Sequence, residues 1–307
     1  MRVSYKQVRG LRRRLQSVNS FKRHPIAVQI VRRSFSVQYL CQPGVLSEGW
    51  PVLSPLAALY RSFCLWDNGP ATFLQGDFVD FKKICVLGLG YIGLPTASTF
   101  ATHGLQVVGV DVNHRVVNGL QNGELHLYEP GLRTLVQAAS RSGNLQIRET
   151  PEAADAFIIA VPTPFYDGKK ADMRYVTAAT ESIVPHLQPG NLVVLESTSP
   201  PLTTANLVAP ILERSGLKAG RDFHLAYSPE RVLPGKILAE LVGNARVIGG
   251  VDRASAEAGR DLYQTFVKGQ IILTDATTAE MVKLMENTSR DINIAIANEF
   301  SRLAETF

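Results

Sequence analysis

The sequence predicts an α/β fold: a doubly wound parallel sheet over residues 81–275, followed by the start of an α-helical domain at 276–307. Three observations predict it. From Phe81 onward, short apolar runs alternate with helix-length segments, the pattern of strands joined by crossover helices. The first run, Lys83-Ile-Cys-Val-Leu, opens directly into Gly88-Leu-Gly-Tyr-Ile-Gly93, a glycine-rich turn between strand and helix. The second run, Gln106-Val-Val-Gly-Val-Asp111, ends in an acid 18 residues after Gly93.

Taken in order, the apolar runs place strands at 83–87, 106–111, 145–149, 156–161, 191–196, 223–227, 245–249 and 270–274. Helices fit at 91–103, 113–121, 129–141, 172–186, 203–214, 253–267 and 276–306. Asp252 and Asp275 stand where caps of the last two helices belong. Residues 1–80 differ from the rest. They carry 11 Lys and Arg against 4 Asp and Glu, whereas the remaining residues carry 21 against 23. The basicity therefore belongs to the N-terminal segment, and the remainder offers no footprint for nucleic acid. Arg12-Arg13-Arg14, Lys22-Arg23 and Arg32-Arg33 precede the first acid, Glu48, and no clear period follows from Cys41 to Asp80. An organellar transit peptide or a basic arm for an acidic surface both fit this pattern. A poorly structured, largely irregular extension is the reading we favour, because no element pairs with a partner.

No run of about 18 apolar residues is present, so no membrane span is expected. Cys41, Cys64 and Cys85 have no metal-ligand spacing and suggest no disulfide framework, so a reducing cytosol fits and no metal is expected.

The glycine turn carries the first chemistry. Gly88 permits the tight turn, Gly90 lets the backbone approach a pyrophosphate, and Gly93 lets the helix pack close to the sheet. The phosphates would sit at the helix N-terminus, where unpaired N–H groups and the dipole favour an anion. Asp111 is placed to accept hydrogen bonds from the adenosine ribose, which favours NAD over NADP. The domain thus reads as a Rossmann-like, NAD-binding one.

Four more segments carry polar groups to strand ends or to the last helix. Ala160-Val-Pro-Thr-Pro164 offers the Thr163 hydroxyl in a proline-stiffened turn; an ordinary proline loop reads equally well. Leu195-Glu-Ser-Thr-Ser-Pro-Pro201 brings a Ser/Thr cluster, suited to ribose or nicotinamide and equally to a helix cap. Tyr227-Ser-Pro-Glu-Arg-Val-Leu-Pro-Gly235 sets Glu230, which can orient water or accept a proton, beside Arg231, which can fork onto a carboxylate or phosphate; a surface ion pair is the plainer reading. On the last helix Lys283, Asn287 and Arg290 share one face, and together they suit a polar anion. Apolar residues on the other faces, from Met281 to Ile296, are expected to leave that helix little exposed surface.

These segments, in this order and over residues 81–307, resemble the UDP-glucose/GDP-mannose dehydrogenase family. GLGYIGLPTA (88–97), VPTP (161–164), LESTSP (195–200), YSPERVLPG (227–235), RVIGG (246–250) and AEMVKLMENTSRDINIAIANE (279–299) carry the resemblance. The Arg-Val pair after Glu230 looks like the N-acetylhexosamine branch, with UDP-glucose and UDP-N-acetylglucosamine dehydrogenases as the rivals. The resemblance implies two NAD-dependent oxidations of a UDP-sugar C6 alcohol to the uronate, the second through a cysteine thioester. It implies that Tyr91, Ile92, Asp111, Thr163 and Thr198 contact NAD, with Arg115 near the adenosine. It implies that Arg231, Val232, Lys283, Asn287 and Arg290 contact the nucleotide sugar, with Lys283 as acid/base or oxyanion partner, aided by Asn287, and Glu230 positioning water. Homodimers or higher homo-oligomers are implied for full-length members. The family's cysteine lies in a Gly-His-Cys context found nowhere in this sequence, and we expect the family's C-terminal nucleotide-binding domain to be missing as well. We therefore expect a truncated chain that is inactive alone. A non-catalytic NAD-binding fragment stands as the alternative of another class.

Overall fold

The computed structural model describes residues 80–168 and 170–307. The expectations for residues 1–80, including Cys41 and Cys64, lie outside the described residues apart from Asp80. Eight strands form one sheet: β1 (Lys83–Leu87), β2 (Gln106–Val110), β3 (Leu145–Arg148), β4 (Ala156–Ile159), β5 (Leu192–Leu195), β6 (His224–Tyr227), β7 (Arg246–Gly250) and β8 (Ile271–Asp275). Their spatial order is 3-2-1-4-5-6-7-8. The first six are parallel neighbours, the doubly wound order with its switch point between β1 and β4.

The helices α1 (Gly93–Thr102), α2 (His114–Gln121), α3 (Leu132–Arg141), α4 (Arg174–Ile183), α5 (Ala209–Leu212), α6 (Ile237–Gly243), α7 (Arg253–Tyr263) and α8 (Ala276–Glu305) cover the two faces. Alternating strand residues feed two cores. Ile84 and Val86 pack with Leu94 and Phe100 of α1 and Leu262 of α7. Cys85 and Leu87 point the other way, towards Val176 of α4, Leu212 of α5 and Ala279 of α8. That two-sided burial explains why these strands read as continuous apolar runs. Asp252 and Asp275 cap α7 and α8 as expected, accepting from Ser255 and Thr278 N–H.

Three features depart from the sequence reading. The helix expected at 203–214 is broken into a π-helical stretch, Thr204–Val208, the short α5 and a 3-10 turn, Glu213–Ser215. The sheet is not wholly parallel, since β7 pairs antiparallel with β6 and carries β8 with it. The proline-stiffened segment 228–236 stays at the carboxyl end of β6, so the chain enters β7 from that same end. A short helix, α6, was also not expected. The buried Glu129 carboxylate accepts from Gly235 and Ile237 N–H across the fold and so fixes its start. That is capping from a distance, with no local signal to read.

Candidate active site

The glycine turn has the geometry that its motif demands. Gly88 sits at φ +94°, and a Cβ there would lie 2.7 Å from the Ala160 carbonyl. A Cβ on Gly93 would lie 1.8 Å from the Gly88 carbonyl, so α1 can close on the strand only as glycine. Gly90 is different, because a Cβ there meets nothing within 4 Å. Within the chain Gly90 therefore guards open space, as a backbone kept bare for a ligand does. Helix α1 begins with no side-chain cap and no acid in its first turn, which leaves its N-terminal donors to an anion. Tyr91 is half exposed and Ile92 partly buried at this turn.

Asp111, at the end of β2, is built into the same turn. One carboxylate oxygen accepts from Leu89 N–H and the other from Asn113 N–H, both at 2.9 Å. Each carboxylate oxygen keeps a lone pair free for a further donor, in an orientation these two bonds fix. Arg115 is exposed on the first turn of α2. The turns after β4 and β5 are joined, because Ser197 Oγ donates to the Val161 carbonyl at 2.7 Å. Thr163 and Thr198, each half buried, stand on these linked turns.

A second cluster lies where β5, β6 and β7 meet the 228–236 segment. Arg246, 4% exposed, donates to Glu196 Oε1 at 3.2 Å, Ser228 Oγ at 3.1 Å and Glu230 Oε2 at 2.5 Å. Its guanidinium stacks 4.3 Å from the Tyr263 ring centre, and the Tyr263 hydroxyl donates to Glu196 Oε1 at 2.5 Å. Burial works against the charge of Arg246, but Glu230, Tyr263 and Glu196 outweigh it and hold the guanidinium protonated. Glu230 is buried, and its other oxygen accepts from Arg231 N–H at 2.7 Å. Its ionic partner is thus Arg246 from below, not the adjacent Arg231. Arg231 instead forks onto Glu286 of α8 at 2.8 and 3.1 Å. Glu286 also lies 3.9 Å from Arg290.

Helix α8 brings Lys283 onto this cluster, where its ammonium donates to the Glu230 carbonyl. Burial lowers the Lys283 pKa, Glu286 and Glu230 oppose that shift, and Arg290 and Arg231 add to it. A lysine held in this way gives up its proton more readily than a solvated one. Asn287 and Arg290 are exposed further along the helix. Val232 packs partly buried against the core on the α1 side. The expectation that α8 has little exposed surface is not met. Met285, Ile292 and Phe300 are 62%, 52% and 66% exposed, and no residue of α8 past Glu280 is buried.

Sequence reasoning missed Arg246, Glu196 and Tyr263 as site residues. The available signal was a lone arginine opening the apolar run RVIGG, since a charge buried in a strand needs a buried partner. Burial, first of all, raises the Glu196 pKa to about 7 from 4.5. An acid whose folded pKa is raised stabilises the fold while protonated. Chain stability should therefore fall as pH rises from about 4.5 to about 7, and Glu196→Gln should flatten that slope. Thermal unfolding across this range checks it, and an unchanged slope in the variant would remove Glu196 as its source.

Among the described residues no cluster fit to hold a metal is present, and no helix is long and apolar enough to cross a membrane. A glycine turn that opens an uncapped helix, with a fixed acid beside it, defines a dinucleotide-binding domain. The chain belongs to the UDP-glucose/GDP-mannose dehydrogenase family: residues 82–267 match its NAD binding domain and 277–307 its central domain. Its cofactor is accordingly NAD. The chain is 55% identical over 230 residues to a UDP-N-acetyl-D-mannosamine dehydrogenase of Methanococcus maripaludis, a match covering 74% of this chain and 52% of that protein. It is 49% identical to an NDP-N-acetyl-D-galactosaminuronic acid dehydrogenase of Ralstonia nicotianae, covering 74% and 55%. Among solved structures, the UDP-N-acetyl-mannosamine dehydrogenase of Staphylococcus aureus is similar with a TM-score of 0.69 at 52% identity, over 72% of this chain and 54% of that one. The chain thus spans about half the length of the curated relatives it matches.

Proposed function

We propose that this chain is the cofactor-binding part of an NAD-dependent dehydrogenase that oxidises the C6 alcohol of UDP-N-acetyl-D-mannosamine to the uronate. The observation that carries the reading is the approach of Lys283 to the Glu230 segment at the carboxyl end of the sheet, on the strand ends that carry the cofactor turns. In this proposal residues 81–275 form the NAD-binding domain and 276–307 begin a central domain. NAD, when bound, supplies the hydride acceptor. Asp111 orients the adenosine ribose with Arg115 nearby, the N–H groups at Tyr91 and Ile92 face the pyrophosphate, and Thr163 and Thr198 hydrogen-bond nearer the nicotinamide. Lys283, its pKa lowered by burial, takes the hydroxyl proton or steadies the oxyanion, with Asn287 beside it. Glu230, fixed by Arg246, orients water. Arg231, Val232 and Arg290 line the sugar-nucleotide side, where cations match the diphosphate. The apolar side chains exposed on α8 suit a homo-oligomeric contact; a chain that stays monomeric in sedimentation equilibrium at high micromolar concentration would count against that.

Calorimetry with NAD, then with UDP-N-acetyl-D-mannosamine, UDP-N-acetyl-D-glucosamine and UDP-glucose on the NAD-loaded chain, tests the reading. Tightest binding of the first sugar supports it, and preference for UDP-glucose would move the substrate to the rival branch. No uronate should form at an enzyme-like rate, about 1 per second or faster. Among the described residues the only free cysteine is Cys85, which is buried. Burial above all pushes its thiol up to about 12, so it cannot supply a thiolate nucleophile. NAD binding with no NADH from any nucleotide sugar would mark a non-catalytic NAD-binding module, the second reading.

Asp111→Ala should weaken NAD binding by about 1–3 kcal/mol, the scale of hydrogen bonds to a charged acceptor. Discrimination against NADP should shrink with it, because the carboxylate that repels a 2′-phosphate is gone. Titrations showing unchanged NAD affinity would take Asp111 out of the site.

A further inference from the structure

Among the described residues Leu202 is the one non-glycine residue in the left-handed region, at φ 70°. A Cβ disfavours that conformation, which persists only where the surroundings over-determine it. Burial does not hold Leu202, whose side chain is 48% exposed. Its N–H does: it donates to Glu280 Oε2 at 2.6 Å. The other oxygen of that carboxylate accepts from Thr204 N–H at 2.8 Å and from the Thr204 hydroxyl at 2.6 Å. Glu280 is fully buried on α8. A buried carboxylate is costly unless hydrogen-bonded, and here its donors come from one loop.

That loop, residues 197–204, follows β5 and carries Thr198. Its start is tied through Ser197 to the turn that carries Thr163. Lys283 lies one turn beyond Glu280 on α8, so the two side chains share a stripe of the helix. A single carboxylate therefore ties the loop that carries Thr198 to the helix bearing Lys283, Asn287 and Arg290.

We propose that Glu280 is a positioning residue: it latches the 197–204 loop to α8 and holds Thr198 and Lys283 as one preorganised unit. This rests on the reading of Thr198 as a cofactor contact and Lys283 as a substrate contact. The strained backbone at Leu202 is the mark of a set geometry, since a brace serving stability alone gains nothing from a leucine in that conformation.

Glu280→Gln keeps the size of the side chain but presents one oxygen where the loop needs two. In the full chain it should weaken NAD binding at least tenfold by calorimetry and speed amide hydrogen exchange at Leu202 and Thr204. Adding Leu202→Gly to this variant should restore most of the affinity, because glycine holds the left-handed conformation without help. Wild-type NAD affinity in Glu280→Gln would reduce the residue to a structural brace and overturn the proposal. So would a loss that Leu202→Gly fails to rescue, and so would tighter binding, which would mean that the charge merely repels the cofactor. Should Glu280→Gln not fold, Thr204→Ala removes one of the three hydrogen bonds and takes its place. A several-fold loss rescued by Leu202→Gly is then expected, and unchanged affinity overturns the proposal. Thr198→Ala separates the underlying reading from the latch. Unchanged NAD affinity there removes Thr198 from the site and the proposal with it, whereas hydrogen exchange in Glu280→Gln reports on the latch alone.

Discussion

Arg246→Met should destabilise the folded chain by about 3–5 kcal/mol, the cost of removing one partner from a buried ion cluster. The guanidinium answers Glu196 and Glu230 together and covers the Tyr263 ring. Methionine restores much of the volume but leaves two buried carboxylates without their cation. The attraction that it removes does not set the size of the loss. The charge left behind in a poorly solvated place does. The deficit should accordingly shrink on acidification, as protonation removes the uncompensated charge. A double variant, Arg246→Met with Glu196→Gln, should recover part of the loss for the same reason. Chemical denaturation at neutral and acidic pH measures all three quantities. A loss below about 1 kcal/mol would place this cluster with ordinary surface pairs.

This cluster also shows where the sequence was readable. Apolar runs located every strand, because the central strands β1, β4 and β5 are buried on both faces and have little freedom in composition, while edge strand β3 still alternates buried and exposed residues. The glycine turn was readable because strand and helix meet there so closely that only glycine fits at 88 and 93. Lys283, Asn287 and Arg290 were readable as a stripe, because helical spacing is fixed. The reversal of β7 was not, since both directions give the same apolar string, and only the path of residues 228–236 decides between them. Nor was the partner of Glu230. Adjacency in sequence suggested Arg231, while the antiparallel register sets Arg246 beside it. Contacts such as Glu129 with the start of α6, or Glu280 with Leu202 and Thr204, join residues 76 to 108 apart, and no local pattern encodes them. The exposed apolar face of α8 escaped for a related reason: amphipathic spacing says which residues can be covered, not what covers them.

Gly93→Ala and Gly90→Ala should separate fold from cofactor. In Gly93→Ala the new methyl would stand 1.8 Å from the Gly88 carbonyl, a backbone atom with no rotamer to change. Helix α1 must then lift from β1. Leu94, Ala97 and Phe100 lie on that helix and are all fully buried, so packing suffers along its length. Overpacking of this kind costs about 1–3 kcal/mol and more where backbone must move. The helix N-terminus shifts away from its phosphate position at the same time, so NAD binding should fall at least a hundredfold, about 2.7 kcal/mol at 1.36 kcal/mol per tenfold. In Gly90→Ala the methyl meets no protein atom within 4 Å. The melting temperature should therefore stay close to wild type, while NAD affinity drops because the methyl occupies the space that the pyrophosphate needs. Differential scanning fluorimetry with and without NAD reads both effects in one experiment. Gly90→Ala should lose the NAD-induced shift without losing basal stability, and Gly93→Ala should lose both. A Gly90→Ala variant that still gains its full shift from NAD would mean that the open space above the turn is not where the phosphates bind.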